Sequence, residues 1–454
     1  MKMILFGSCF GQMQGLWFST KYTAAYANAR MPGKLTLRFK PMFLKKSLPN
    51  ILCVTAITLL TVVVCISPNI AYSAESVARD AQLGGDAQRT RFVTVLSKKV
   101  KFGIRTLADP YRVIVDLSDV KLELPKDRGK EGKGLVTGYR YGRVEPYGVR
   151  IILDVNAPVL VDRAEIVEAS NGQPPKFVVE LTRTNRKAFL ANQRQQLAAV
   201  RRNARSEAPK VAPKPKRSKS AKKIIAIDAG HGGIDPGAVS KSGLKEKDIV
   251  FSFSKTLRNT LNNTGKYEAV LTRSVDSYVP LRKRVEIARE LGADLFLSIH
   301  ADALPGRYAK TVAGATVYTL SEKASDDEAK VLAAAENKSD IIAGVELPPE
   351  SDDVANILID LAQRETKNLS ISFAGILVES LRSKTQLSKK SRKFAGFRVL
   401  KAPDIPSVLL ELGYMTNPAD VRRLQSSKWR LKVSNVIARA IDTYFTKRTA
   451  QNPY

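Results

Sequence analysis

Hydrophobic periodicity changes character once along this chain of 454 residues, and the change divides it between two kinds of fold. From about Arg89 to Arg186 the apolar residues come in short alternating or β-branched runs: Phe92–Leu96, Val100–Arg105, Arg112–Leu117, Val149–Val155 and Phe177–Leu181. Turn residues separate them, as in Ala108-Asp109-Pro110, Pro146-Tyr147-Gly148 and Asn171-Gly172. Such runs between turns are the pattern of strands, and a small all-β sandwich over 88–186 is the class that fits. After Lys223, strand-like runs alternate with amphipathic helices, which predicts an α/β domain over 223–446, a mostly parallel sheet flanked by helices. Strands are expected at Ile224–Asp228, Ala269–Arg273, Leu295–His300, Ala315–Leu320 and Val408–Leu412. Helices are expected at Val250–Leu261, Leu281–Leu291, Val354–Leu381 and Val421–Phe445, ahead of a tail over 447–454.

Within the β region, Tyr-Arg-Val-Ile-Val-Asp-Leu at 111–117 echoes Gly-Val-Arg-Ile-Ile-Leu-Asp-Val at 148–155. Two similar halves forming two packed sheets would produce this repeat, and so would the general likeness of edge strands. Residues 187–222 change to Gln, Ala, Arg, Lys and Pro. Their like charges and prolines favour an extended, mobile linker.

The 74 Lys and Arg against 43 Asp and Glu, a net charge of +31, imply a polyanionic neighbour: nucleic acid, an anionic membrane surface or an acidic wall polymer. Much of the excess sits in the linker, where basic charge needs no groove-reading element beside it, which weakens the nucleic-acid reading. Export weakens it further. Over residues 1–74, Lys45 and Lys46 precede the apolar run Ile51–Ile66, then Pro68 and the small residues Ala71, Ser73 and Ala74. This is the order of a secretory signal peptide, with cleavage expected after Ser73, Ala74 or Ala78 and no stable membrane insertion afterwards. An uncleaved anchor is the competing reading, because the run is about as long as the shortest spanning helices. Cys9, Cys53 and Cys65 all lie in this leader, so the mature chain has no thiol for a disulfide scaffold, a cysteine-ligated zinc or a cysteine nucleophile.

The chain has two histidines, and both fall where a predicted strand of the α/β domain ends. His231 follows the strand at Ile224–Asp228 in Asp-Ala-Gly-His-Gly-Gly, and His300 closes the strand at Leu295–His300. The carboxyl ends of strands are where open α/β sheets place ligands, and imidazole is the commonest metal ligand; chance placement of two structural histidines is the alternative. A catalytic zinc takes three protein ligands and one water. Without cysteine the third is a carboxylate, and Glu246, soon after the His231 loop and just before the predicted helix, is the candidate. A solvated acid near a helix N-terminus competes for Glu246. Proton transfer needs a second carboxylate. Glu411, between Val408-Leu409-Leu410 and Leu412-Gly413-Tyr414, has apolar neighbours that raise its pKa and suit it to acid and base work; a structural ion pair competes.

Asp-Ala-Gly-His-Gly-Gly (228–233), Lys-Glu-Lys-Asp (245–248), Ser-Ile-His-Ala-Asp (298–302) and Leu-Leu-Glu-Leu-Gly-Tyr (409–414) together resemble the zinc-dependent N-acetylmuramoyl-L-alanine amidases of bacterial peptidoglycan, of the AmiA/AmiB/AmiC type. Leu-Ala-Asp-Pro-Tyr-Arg-Val-Ile-Val-Asp-Leu (107–117) is more loosely similar to the AMIN domain that accompanies them. The resemblance implies His231, Glu246 and His300 as ligands of one zinc ion and Glu411 as catalytic acid and base. It further implies a periplasmic enzyme that releases the peptide stem at L-alanine from septal peptidoglycan during division. A zinc peptidase cutting within the stem, or a non-catalytic wall-binding protein that kept the fold, is the alternative.

The stretch at about 321–352 is longer than a connection needs. Ser325-Asp326-Asp327-Glu328 predicts a capping box, with Ser325 as N-cap and Glu328 at N3. On the helix that follows, Ala329, Leu332, Ala333 and Glu336 share a face, and a carboxylate on an apolar face is out of place. Glu336 is thus a candidate to block or ligate the zinc, in keeping with relatives that are autoinhibited and switched on by LytM-type activator proteins. A surface helix with Glu336 at its solvated edge is the alternative.

Overall fold

The computed structural model describes residues 75–124, 129–169, 172–206, 222–345 and 357–451; the proposed leader lies outside them. Nine strands come first: β1 (Ser76–Gly85), β2 (Arg89–Leu96), β3 (Phe102–Leu107), β4 (Arg112–Leu117), β5 (Val120–Leu122), β6 (Val136–Val144), β7 (Gly148–Val155), β8 (Val159–Val167) and β9 (Lys176–Arg183). They form a five-stranded sheet, β5-β1-β2-β9-β8, and a four-stranded sheet, β3-β4-β7-β6. Phe92, Phe177 and Val179 from the first sheet pack against Val113, Val115, Ile151 and Leu153 from the second, as period-two side chains on facing sheets do.

The two repeated segments are β4 and β7. They do not divide between the sheets; they are antiparallel neighbours within one. The antiparallel register sets Arg112 beside Asp154 and Asp116 beside Arg150, so each copy's arginine meets the other copy's aspartate.

Over 186–206, where composition suggested an extended linker, the structure has helix α1 (Arg186–Ser206). The carboxamide oxygen of Asn185 accepts the Ala188 N–H, and Phe189 is buried edge-on to Tyr111 with ring centroids 5.0 Å apart. This stretch holds Ala, Gln, Leu and Arg, good helix formers, and no proline before Pro209. Residues 207–221 lie outside the described part.

The second half runs β10 (Lys223–Ala229), α2 (Glu246–Asn263), β11 (Tyr267–Leu271), α3 (Leu281–Glu290), β12 (Leu295–His300), β13 (Ala315–Leu320), α4 (Asp327–Glu336), α5 (Ser339–Ile342), α6 (Ile357–Arg382), β14 (Leu387–Ala395), β15 (Ser407–Glu411), α7 (Pro418–Gln425) and α8 (Ser427–Gln451). The sheet order is β11-β10-β12-β15-β13-β14, parallel except where β13 meets β15. Helices α2, α6 and α8 bury one face through Phe253, Leu257, Phe373, Leu377 and Ile437. On the other face Leu281 and Ala288 of α3 and Ala329 and Leu332 of α4 pack against Phe296 and Leu409.

Two local expectations fail. The helix expected at Val421–Phe445 is two helices, because Ser426 is extended and its hydroxyl accepts the Trp429 N–H, which ends one helix and begins the next. The N-cap of α4 is Asp326, not Ser325: its carboxylate accepts the Ala329 N–H at 2.9 Å, and Glu328 instead pairs with Lys393. Among the described residues, no helix is long and apolar enough to cross a membrane.

Candidate metal centre and active site

Three neighbouring parallel strands deliver the site. β10 ends one residue before the glycine that precedes His231, β12 ends on His300, and β15 ends on Glu411, which the register places opposite His300. Beneath them lies a buried polar frame. Asp228 accepts hydrogen bonds from Thr272 Oγ1 (2.6 Å), Ser298 Oγ (2.7 Å) and Arg284 Nη1 (3.1 Å). Arg284, itself fully buried, also donates to the carbonyls of Val279, Ala229 and His231. The loop after β10 is therefore held by its backbone. Its first residue, Gly230, has no room for a side chain, since a Cβ there would lie 2.4 Å from the His300 ring. His231 has φ 56°, a left-handed conformation that costs a residue with a Cβ on the order of 1–3 kcal/mol.

That conformation aims the imidazole between two acids. Nδ1 lies 2.8 Å from Asp235 Oδ2, which also accepts the Ser339 hydroxyl at 2.7 Å. A carboxylate on one ring nitrogen fixes the tautomer and leaves the other free to ligate. The other, Nε2, is 3.1 Å from Glu246 and 3.5 Å from Glu336. His300 Nδ1 is 3.3 Å from Glu246 and 3.2 Å from Glu336. Neither His231 Nε2 nor His300 Nδ1 has a hydrogen-bond partner, although both are buried. Unpartnered nitrogens facing one point between carboxylates are the donor set of a metal ion. His231, His300 and Glu336 each offer an atom within 4.8 Å of the others. Glu246 is not in that group of single atoms, yet its two oxygens approach the ring nitrogens as closely as those of Glu336. It belongs to the cluster by distance.

Glu246 is the first residue of α2 rather than a residue before the helix. Its oxygens are oriented by the N–H groups of Ala301 (2.8 Å) and Ala238 (2.9 Å). Burial works to raise its pKa, but His231 and His300 hold it well below the usual value. Burial alone would lower the pKa of His231; Glu246, Asp235 and Glu336 outweigh that and hold it well above the ordinary value. The cluster calls for positive charge, a proton or a metal.

Glu411 is fully buried; Oε2 accepts the Asp302 N–H at 3.0 Å, and Oε1 has no partner. Burial raises its pKa well above the ordinary value, and the carboxylates of Asp302 and Glu246 add to the rise. Asp302, given no role in the sequence although it closes the Ser-Ile-His-Ala-Asp motif, is likewise pushed up to about 7 by burial and by Glu246. Glu336, at the C-terminal end of α4, is buried with Ala329, Leu332 and Ala333, the face that periodicity predicted. Asp235, Ser339, Asp228 and Arg284 were missed: Asp235 is one polar residue of the His231 loop, four positions on, and the other three act through partners far along the chain that no spacing announces.

Residues 225–443 match the N-acetylmuramoyl-L-alanine amidase family and residues 81–179 the AMIN domain. The amidase AmiA of Escherichia coli K12 is 40% identical over 234 residues, which cover 51% of this chain and 80% of AmiA. The amidase AmiC of Escherichia coli O6:H1 is 31% identical over 370 residues, 78% of this chain and 86% of AmiC. Among solved structures, the amidase AmiC2 of Nostoc punctiforme is 28% identical and covers 50% of this chain and 99% of its own, with a TM-score of 0.36. With its AMIN domain ahead of the catalytic domain, this chain belongs to the N-acetylmuramoyl-L-alanine amidases and is an enzyme of that class.

Proposed function

We propose that the chain cleaves the amide bond between N-acetylmuramic acid and L-alanine in periplasmic peptidoglycan, splitting septal wall during division, with His231, Glu246 and His300 as ligands of one zinc ion and Glu411 as acid and base. The observation that carries this reading is the pair of buried, unpartnered ring nitrogens on either side of Glu246. Zinc bound there supplies Lewis acidity toward the lactyl carbonyl and the attacking water. The chain's own residues do the rest. Asp235 holds the His231 ring by Nδ1, and the Ala301 and Ala238 N–H groups hold Glu246. Glu411, its pKa raised by burial, accepts a proton from the attacking water on its unpartnered Oε1 and passes it to the departing amide nitrogen. The peptide leaves as a free amine.

In the same reading Glu336 completes the cluster of ligand atoms and excludes substrate in the resting enzyme. A LytM-type activator relieves it by displacing the segment 325–345. Export through the leader fits β1: Ser76 and Ala78 are buried in its pairing with β5, so cleavage after Ser73 or Ala74 spares the strand and cleavage after Ala78 does not.

Metal analysis joined to digestion of purified sacculi tests the proposal. Free muramic lactyl groups and intact stem peptides are the expected products, with about one zinc per chain. Fragments cut between stem residues would replace the amidase by a peptidase. Glu411→Gln should keep zinc and sacculus binding and lose about 10²–10⁴-fold in wall release; retained release would reject its role. Deleting 325–345 should raise basal release, and an unchanged rate in a folded, zinc-loaded protein would remove Glu336 as the block.

A further inference from the structure

The outer face of β3-β4-β7-β6 is covered at its apolar centre. Leu107, Ile114, Val144 and Ile152 pack there with Ile234, Tyr278 and Ala343 of the catalytic domain, within one compact unit, Ser73–Tyr454. Around this apolar patch four arginines of the β domain reach backbone carbonyls at the end of α5. Arg112 donates to Ile341 and Arg140 to Ile342 (3.3 Å). Arg150 donates to Ala343 (2.8 Å) and Gly344 (3.1 Å), and Arg105 to Gly344 (3.1 Å). The last carbonyls of a helical turn have no partner within it, and bonds from a guanidinium are among the stronger ones.

Three of the four guanidinium groups are held by the aspartates of the two repeats, and Arg112 donates through Nε to the Pro110 carbonyl. Asp116 accepts from Arg105 (2.7 Å) and from Arg150 Nε (2.6 Å) and Nη2 (3.0 Å), while Asp154 pairs with Arg140. Arg150 is fully buried, and its Nη1 serves only carbonyls of the other domain. A buried guanidinium carries a desolvation penalty that the sandwich alone does not need to meet.

The segment so gripped is the one that carries Glu336. Ser339 Oγ donates to the Asp235 carboxylate that holds His231, and Asp340 Oδ1 accepts the Tyr278 hydroxyl (2.8 Å) and the Leu281 N–H (3.0 Å). From Glu336 to Gly344 the chain is tied to the site at one end and to the β domain at the other.

We propose that the β domain acts as the keeper of the inhibitory segment: its arginine face grips residues 341–344, holds Glu336 against the metal ligands, and on undocking releases both. This rests on Glu336 being the block. Activity and domain docking are then coupled through one short stretch of backbone.

Two variants of the full-length enzyme test this. Gly344→Val places a side chain where φ is +64° and a Cβ already lies 2.8 Å from Ile114 Cδ1 and 3.2 Å from Ile152 Cδ1, which wedges the segment off the sheet. The paired variant Arg112→Gln with Arg140→Gln removes two donors and leaves Arg150 with Asp116; it serves if the first fails to fold, as read by lost protection of β10 and β12. Dye release from labelled sacculi and exchange of the Ile342, Ala343, Gly344 and Val345 amides, all hydrogen-bonded to the preceding turn, are compared with wild type and with Glu336→Ala.

The expected result is basal release raised about fivefold or more, at or above the lower end of ordinary coupling between sites, with faster exchange at 342–345. If Glu336→Ala raises release while both grip variants release at the wild-type rate, the β domain does not hold the block, whatever the exchange shows, and the Glu336 reading stands. If Glu336→Ala leaves release unchanged, that reading has failed and the coupling with it. Exchange then still tells the two failures apart: faster exchange in the grip variants upholds the arginine grip itself, and unchanged exchange overturns it.

Discussion

Asp228 and Arg284 are ion-paired at full burial, and neither touches the metal ligands' free atoms; their part is to hold the loop that presents His231. Removing one partner of such a pair leaves the other charge uncompensated. Asp228→Asn is therefore expected to cost about 3–5 kcal/mol, read by urea unfolding followed through Trp429, which packs 6.1 Å from Phe253 in the catalytic core. A cost below about 1 kcal/mol, the value of an exposed pair, would mean the frame is dispensable. This frame marks a limit of the sequence. His231 and His300 were visible because imidazole is scarce here, and Glu411 because a carboxylate in an apolar run is anomalous. Arg284 sits on an amphipathic helix among Arg282, Lys283 and Glu286, where nothing separates the one inward guanidinium from its solvated neighbours. Asp235 is one more polar residue in a glycine-rich loop. Residues that work by anomaly are legible; residues that work by distance across the fold are not.

At the scale of elements, α4 joins a cap to a catalytic consequence. Its ten residues run from Asp327, just after the capping Asp326, to Glu336, and its buried stripe contains three small or medium apolar residues, Ala329, Leu332 and Ala333. So little apolar surface makes the helix dependent on its cap. Asp326→Ala should cost about 1 kcal/mol and, by loosening the helix that presents Glu336, raise basal wall release. It should fall short of deleting 325–345. Equal release by wild type and Asp326→Ala, with helix exchange accelerated, would show that Glu336 does not depend on its helix. Periodicity found this element and its buried face but misplaced the cap by one residue, because Ser, Asp and Asp in succession are all good caps and only the fold selects among them. The strands that end on His300 and Leu320 were equally plain, being mostly apolar or β-branched. β14 was not: its Leu-Ser-Lys-Lys-Ser-Arg-Lys-Phe-Ala reads as a polar loop because it is an edge strand, and lysine on an edge is how sheets avoid pairing with other chains. α1 was hidden by a composition it shares with the proline-rich stretch after it.

At the scale of the whole molecule, a chain of net charge +31 builds its candidate site from acids. Glu246, Asp302, Glu336 and Glu411 are all buried within the site, and burial raises the pKa of Asp302, Glu336 and Glu411. Of the two imidazoles beside them, His231 favours its charged form while burial drives His300 towards its neutral one, so carboxylates crowded here repel one another in a medium where charge is poorly screened. A divalent cation relieves that repulsion in the folded state and finds no such site in the unfolded chain. Zinc at a hundredfold excess over its dissociation constant is thus expected to stabilise the catalytic half by about 2.7 kcal/mol, and chelation to remove that gain. The β sandwich has its own core of Phe92, Phe177 and the apolar residues of β4 and β7, and the cluster of metal-ligating side chains found among the described residues lies outside it. Amide exchange can therefore separate the halves. Chelation should accelerate β10, β12 and β15 and leave β2 and β9 at their original rates. Because α5 bridges the two, its amides should follow the catalytic strands and not the sandwich. Uniform acceleration of both halves would mean that the metal stabilises the assembly of domains and not the site alone, whereas no acceleration anywhere would mean that His231 and His300 do not bind zinc.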